Sequence, residues 1–330
     1  LAEMQFSLLD GKGERVTLTR GADGVYRPDA QGGAYFVTDE NGQARILGLP
    51  QGSYAIAESA HEGYAALDAS PRFELMVRAD VTITNEPLTL EITKADGYTG
   101  EGMSGVEFSL RDADGNAVPI RSIAEGVYYY SASAQGDALV TGADGKATVH
   151  YLPVGVYMLE EETQDGYVQT EPVQVTVSAG NGLSDPVRVR FVNDPTVLIL
   201  TKSDAATREP LDGATFRLVD ETGVAVKLSK TGEGNYRPNP DGQETFTTEK
   251  GEVCIRYLPC GSYTVEEVSA PDGYTKESPR QFVISGENEA ANPVRIAMQD
   301  MPLALEFRKV DAESGDALDG CVFSLKGADG

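Results

Sequence analysis

Four segments of the 330-residue chain align without a gap: LAEMQFSLLDGKG (1–13), MSGVEFSLRDADG (103–115), LDGATFRLVDETG (211–223) and LDGCVFSLKGADG (318–330). A second block, GQARILGLPQGSY (42–54), returns as GKATVHYLPVGVY (145–157) and GEVCIRYLPCGSY (251–263). The matched lysines Lys94, Lys202 and Lys309 stand 108 and 107 residues apart. A repeat of that length is a domain in its own right, because solenoid repeats run to about 20–50 residues and cannot bury a core alone. The chain therefore reads as two whole units, 88–195 and 196–302. A unit lacking its first strand (1–87) precedes them, and the first strands of a further unit (303–330) follow. Starting without Met and stopping inside a unit, it is expected to be a piece of a longer tandem array.

Within each unit the hydrophobic period is two. LTLEITK (88–94) sets Leu88, Leu90 and Ile92 on one face against Thr89, Glu91 and Thr93 on the other. VRVRFVN (187–193) does the same with Val187, Val189 and Phe191. Turn signals such as DADGN, GADGK, DENGQ and PDGY separate these short runs, and no segment keeps a helical period. Such a pattern predicts an all-β chain of antiparallel β-sandwiches in tandem.

Charge narrows the partners. A formal net charge of −25 argues against nucleic acid, whose phosphates need basic patches. No stretch is apolar enough to span a membrane as a helix, and no secretory signal is present. Cys254, Cys260 and Cys321 form no CxxC or Cys/His cluster, and His61 and His150 are the only histidines, so a zinc site is not expected. Cys254 takes an outward position between Val253 and Ile255. An incidental thiol is the plainer reading there, with a local disulfide to Cys260 as the alternative.

The alternation also aims polar groups inward. Leu88, Leu90 and Ile92 lead to Lys94, register carries Lys202 to the same side, and Leu303, Leu305 and Phe307 lead to Lys309. Tyr54 and Ile56 lead to Glu58, Tyr157 and Leu159 to Glu161, and Tyr263 and Val265 to Glu267. The last strands end at Asn85, Asn193 and Asp300. Free ions buried this way cost several kcal/mol each unless very well paired. Desolvation instead lowers a lysine pKa and raises a glutamate pKa, giving a nucleophilic amine and a proton-donating acid. Beside an Asn or Asp side chain these form an amide-making site, whose product removes the buried charge.

The sequence TK(S/A)D, then LDGATFRL, then YLPxGxY followed by Glu, then APDGY, then a strand-final Asn or Asp, resembles the Cna B-type (SpaA-like) domains of Gram-positive surface adhesins and pilins. The resemblance covers essentially the whole chain. It implies an immunoglobulin-like (prealbumin-type) sandwich and an autocatalytic isopeptide between first and last strands. It makes Lys94 the nucleophile, Glu161 the catalytic acid and Asn193 the acceptor, with ammonia released. Lys202, Glu267 and Asp300 take the same parts with water released. Glu58, Asn85 and Lys309 belong to incomplete sites. The segment from Glu to GY is one residue shorter in the first two units than in the third, which leaves the loop geometry open. Without an LPxTG-like sorting motif or a pilin Tyr-Pro-Lys motif, the resemblance implies an adhesin stalk outside the cell, held to the wall by regions beyond residues 1–330. Its partners would be neighbouring domains of the array and, through other regions, a host surface ligand. No cofactor is implied, and the chain is not expected to be an enzyme beyond a single self-crosslinking turnover.

Three other readings compete. The Asp112, Asp114 and Asp144 turns invite calcium, but they lack the further ligands of an EF-hand loop, and ordinary turn chemistry accounts for them. A glycosidase carboxylate pair would need aromatic subsites that nothing supplies. A ligand-binding adhesin module, recognising matrix protein or glycan through sandwich loops, would use the exposed-looking Tyr of the inserts 24–36, 126–140 and 234–246; because these inserts recur at equivalent points, hairpin packing is the plainer reading of them.

Overall fold

In the second module, alternate residues of Thr89–Asp96 point into the space between two sheets. Leu88, Leu90 and Ile92 are wholly buried there against Phe108, Leu110, Tyr157, Leu159, Val175 and Val177. Covering one such aliphatic side chain stabilises the fold by about 1.5–3 kcal/mol, and the period-two pattern makes every second residue contribute. The protein was analysed as a computed structural model describing residues 3–67, 69–162 and 164–327. Among these residues there is no helix, and so none long and apolar enough to cross a membrane.

The chain divides into two units, Leu1–Pro195 and Thr196–Gly330. The second module, in the first unit, is a sandwich. One sheet runs in the order Ile120–Ala124, Val127–Tyr130, Lys146–His150, Thr89–Asp96, Val187–Asn193. The other runs Leu139–Val140, Glu107–Asp112, Gly155–Glu161, Val173–Val177. In the second unit, Val197–Asp204 lies between Glu252–Arg256 and Val294–Pro302, and Gly261–Ser269 lies between Thr215–Asp220 and Arg280–Ile284. Most ladders are antiparallel, as alternation and short turns predict. The first and last strands of each complete module pair in parallel, Asn193 opposite Asp96 and Asp300 opposite Asp204. That arrangement needs the long connection the whole module provides.

The first module keeps the sheet built on Gln5–Asp10 and Gly52–Glu58, with Arg15–Val16, Phe36–Val37 and Arg72–Leu75. Residues 43–47 and 81–85, whose counterparts flank the first strand in the other modules, form no strand here. The expected last strand ending at Asn85 is thus corrected: with no first strand beside it, its backbone has no ladder to join. The same holds for 303–309. Leu303, Leu305 and Phe307 are exposed, and Val310–Ala317 is an isolated bridge, so alternation without a neighbouring strand produces no sheet.

One further expectation is corrected. Cys254 is buried although it alternates with the inward Val253 and Ile255: in a central strand its small side chain stands between the cross-strand neighbours Ile199 and Asn235 on the same face. All three cysteines carry free thiols. In the inserts Tyr26, Tyr128 and Tyr236 are buried, as hairpin packing requires and loop-borne ligand contacts would not. Tyr128 Oη donates to the Val140 carbonyl at 3.1 Å and accepts from the Val140 N–H at 2.9 Å, fastening the insert hairpin to the opposite sheet. At the DADGN turn, Asp112 Oδ1 accepts from the N–H groups of Asp114 and Asn116 at 3.0 and 2.9 Å, while Gly115 takes φ +83°. This is the local turn chemistry of Asp and Gly.

Candidate functional site

Lys94 lies two residues from the end of its strand, while Glu161 and Asn193 are the final residues of theirs. Each continues an inward apolar stripe, so each side chain enters the core rather than solvent. Lys94 is 0% exposed, Glu161 2% and Asn193 1%. In the third module Lys202, Glu267 and Asp300 are 1%, 4% and 0% exposed. The structure brings each predicted trio to one buried place.

In the second module Glu161 is the hub. Its Oε1 accepts from Asn193 Nδ2 at 2.8 Å and lies 3.6 Å from Lys94 Nζ, while its Oε2 accepts from Thr170 Oγ1 at 3.0 Å. The amine otherwise meets the Ala95 carbonyl at 3.4 Å and the Met103 sulfur at 3.5 Å. Burial pushes the Lys94 pKa down, opposed by the charges of Glu161 and Asp96. Burial pushes the Glu161 carboxyl up, opposed first by Lys94 and then by Thr170 and Asn193. Both shifts favour the neutral amine and the protonated acid.

The third module is tighter. Lys202 Nζ bonds both Glu267 Oε2, at 2.9 Å, and Asp300 Oδ1. Phe216 lies beneath, its ring centroid 5.7 Å from the amine. Glu267 Oε2 also accepts from the Glu277 N–H at 2.8 Å. Burial again raises the Glu267 carboxyl; the Lys202 bond and the Glu277 N–H oppose the rise, and the neighbouring Asp300 carboxyl adds to it. The extra residue between Glu267 and Tyr274 is absorbed by a bulge opposite Thr215 and Phe216, leaving the site register unchanged.

Among the described residues, the buried side-chain N and O atoms without a hydrogen-bond partner are Ser109 Oγ, Asn193 Oδ1, Glu267 Oε1 and Asp300 Oδ2. Three of the four belong to these two sites. Such atoms cost about 1–3 kcal/mol each. A buried amine, a carboxyl whose pKa is raised by burial and an under-bonded carboxamide or carboxyl are the groups that amide formation needs.

A family model for the SpaA prealbumin-like fold domain matches residues 1–87, 88–187 and 196–298. The chain belongs to the SpaA family. It holds the prealbumin-like domain in three tandem copies. Among solved structures, the shaft pilin SpaA of Lactobacillus rhamnosus GG is similar at 19% identity, over 66% of this chain and 99% of that one, with a TM-score of 0.35. A streptococcal ancillary pilin is similar at 21% identity, over 91% and 92% of the two chains, with a TM-score of 0.32. The minor pilin GBS52 of Streptococcus agalactiae is similar at 17% identity, over 68% and 100%, with a TM-score of 0.30. Among curated proteins none matches the chain.

The first SpaA domain retains two of the three residues of the constellation. Asn85 Nδ2 donates to Glu58 Oε1 at 2.7 Å, and burial raises the Glu58 carboxyl against that bond. Lys309 is exposed, its amine donating to the Val310 carbonyl at 3.3 Å. Glu160 and Glu266 face outward, Glu266 bonding Arg217. Sequence reasoning missed Thr170 and Glu277, the equivalent positions three residues after the GY tyrosine, because a hydroxyl does in one SpaA domain what a backbone N–H does in the other. It also passed over Asp96 with Tyr167 and Asp204 with Tyr274, although both partners recur in the TKxD and GY motifs.

Proposed function

We propose that the chain is a structural spacer of a Gram-positive cell surface, part of a pilus or adhesin stalk, whose second and third domains each close with a self-made isopeptide bond. The neutral Lys94 amine attacks Cγ of Asn193 while Glu161, which accepts from Nδ2 of that amide, passes its proton to the leaving nitrogen. A C–N bond forms from Lys94 Nζ, the original amide C–N bond breaks, and the proton lost by the amine reaches the leaving nitrogen by way of Glu161. Ammonia departs and atoms balance. In the third domain Lys202 attacks Cγ of Asp300 with Glu267 as acid, a C–O bond breaks, and water departs. Each domain acts once on itself, so the chain is a non-turnover protein in this reading.

The single observation that supports this most is the burial of three polar groups at each site with almost no solvent access. Left as ions such a trio is costly, and condensation removes the charges. A bond between first and last strands also restricts the unfolded chain, as a disulfide closing a loop of similar size does. The role that follows is mechanical: an extracellular spacer that resists proteolysis and unfolding while other regions bind and anchor. The deciding experiment is high-accuracy mass measurement of the denatured whole chain beside Lys94→Ala and Lys202→Ala. The wild type is expected to be lighter than its sequence by one ammonia and one water, and each variant to regain one of them. A wild type at its full sequence mass would end the proposal.

A further inference from the structure

Each complete domain ties the three strands of its site together with one tyrosine. Tyr167 Oη donates to Asp96 Oδ2 at 2.8 Å, and Tyr274 Oη donates to Asp204 Oδ2 at 2.8 Å. Asp96 stands two residues after Lys94, and Asp204 two after Lys202. The tyrosine backbones pair with Pro195 and Pro302, each two residues after the acceptor Asn193 or Asp300. Both tyrosines lie on the segment leaving the glutamate strand. One residue thus touches the amine strand, the acceptor strand and the acid's loop.

The position of this contact matters because the reactive residues sit at strand ends, where ladders open most readily. A slip of one residue would turn an inward side chain outward. The paired residues are Asn193 with Asp96 and Asp300 with Asp204, so the aspartate receiving the tyrosine is the one abreast of the acceptor. Both aspartates are 6% exposed. Their other oxygens hold the following turn, Asp96 through Tyr98 and Thr99 and Asp204 through Ala206 and Thr207. That turn does not need the tyrosine. Asp311 takes the N–H groups of Glu313 and Ser314 at 2.9 Å each, in a segment that has no such domain around it. In the first domain Tyr64 keeps its bridge to Pro87, while its ring packs on His61 and Tyr151.

We propose that Asp96–Tyr167 and Asp204–Tyr274 are positioning pairs that lock the strand register in which lysine meets its acceptor. This rests on the isopeptide reading above. Neither pair touches the reacting atoms. Loss of the hydroxyl lets the strand ends part, and misplacement by an ångström or so slows such a reaction on the order of 10- to 100-fold.

The test follows the full chain after cell-free synthesis, quenched at intervals in denaturant and mapped for the Lys94–Asn193 and Lys202–Asp300 peptides. Tyr167→Phe is expected to slow the first cross-link on the order of 10- to 100-fold and to leave the second at the wild-type rate, an internal clock. Tyr274→Phe is expected to reverse the pattern, so a folding failure in one domain leaves the other to decide. Melting is measured in a Lys94→Ala background, where no first cross-link can form. A lowered melting temperature with an unchanged cross-linking rate in Tyr167→Phe marks a merely structural bond and overturns the proposal, as does an unchanged rate alone. A wild type that forms neither cross-link defeats the isopeptide reading itself, a separate outcome.

Discussion

Glu161 and Asn193, terminal residues of strands in opposite sheets, meet inside the second domain through a hydrogen bond of 2.8 Å. The acid therefore bridges the two layers at the acceptor. Glu161→Gln keeps the shape and removes the proton donor, so the Lys94–Asn193 bond is expected to form on the order of 10²- to 10⁴-fold more slowly. The Lys202–Asp300 bond in the same chain is expected to form normally. Peptide mapping after synthesis reads both.

The rate of bond formation in the second domain should be bell-shaped in pH. Lys94 is held below its ordinary 10.5 and Glu161 above its ordinary 4.5, both chiefly by burial. As pH falls, protons occupy amine and acid together and the nucleophile is lost. As pH rises, the acid ionises and the donor is lost. The two limbs belong to the pair rather than to either residue. A rate that climbs steadily with pH would remove Glu161 as the acid.

Lys202→Met fills a similar volume but leaves Glu267 and Asp300 buried without their cation. Stability is expected to fall by about 3–5 kcal/mol, the usual result of breaking a buried pair, in addition to the lost cross-link. Arg217→Ala, which breaks the part-exposed pair with Glu266, should cost about 1 kcal/mol or less. Urea unfolding of each variant against the wild-type chain checks the contrast.

His150 gives a separate pH signal. Its Nδ1 lies 3.0 Å from Thr89 Oγ1, its ring packs against Tyr129 and Tyr151, and burial lowers its pKa from the ordinary 6.5 against the pull of Glu91. The unfolded chain takes up this proton first. Stability from His150 is therefore full above about 6.5 and declines as pH drops toward the lowered folded value, then levels off. His150→Gln should flatten that slope in thermal melts across the acidic range.

Thiol labelling should separate the cysteines. Burial raises the Cys254 pKa, whereas Cys260 and Cys321 are exposed. Iodoacetamide is expected to modify two thiols quickly and the third only when the domain opens.

Much of this was legible in the residues. The inward direction of Lys94, Glu161 and Asn193 follows from alternation alone, since period two leaves each side chain a single choice of face. The parallel pairing of Thr89–Asp96 with Val187–Asn193 was not legible, because alternation reads the same in either strand direction. Asn85 and Leu303 to Phe307 show the opposite limit: their pattern is that of a strand, yet a strand exists only when another backbone accepts its hydrogen bonds. Cys254 was misplaced because alternation does not show that a small side chain in a central strand is flanked on its own face by larger cross-strand neighbours, here Ile199 and Asn235. Tyr167 was passed over because its partner, Asp96, is 71 residues away along the chain.

The parallel pairing carries a consequence for traction. Seven residue pairs join Val187–Asn193 to Thr89–Asp96, and the chain enters this ribbon at one end and leaves at the other. A tug on the termini loads those rungs in shear, all at once, where an antiparallel pair pulled from one end would unzip rung by rung. Even before any covalent closure, the direction of two neighbouring strands makes the domain hard to tear.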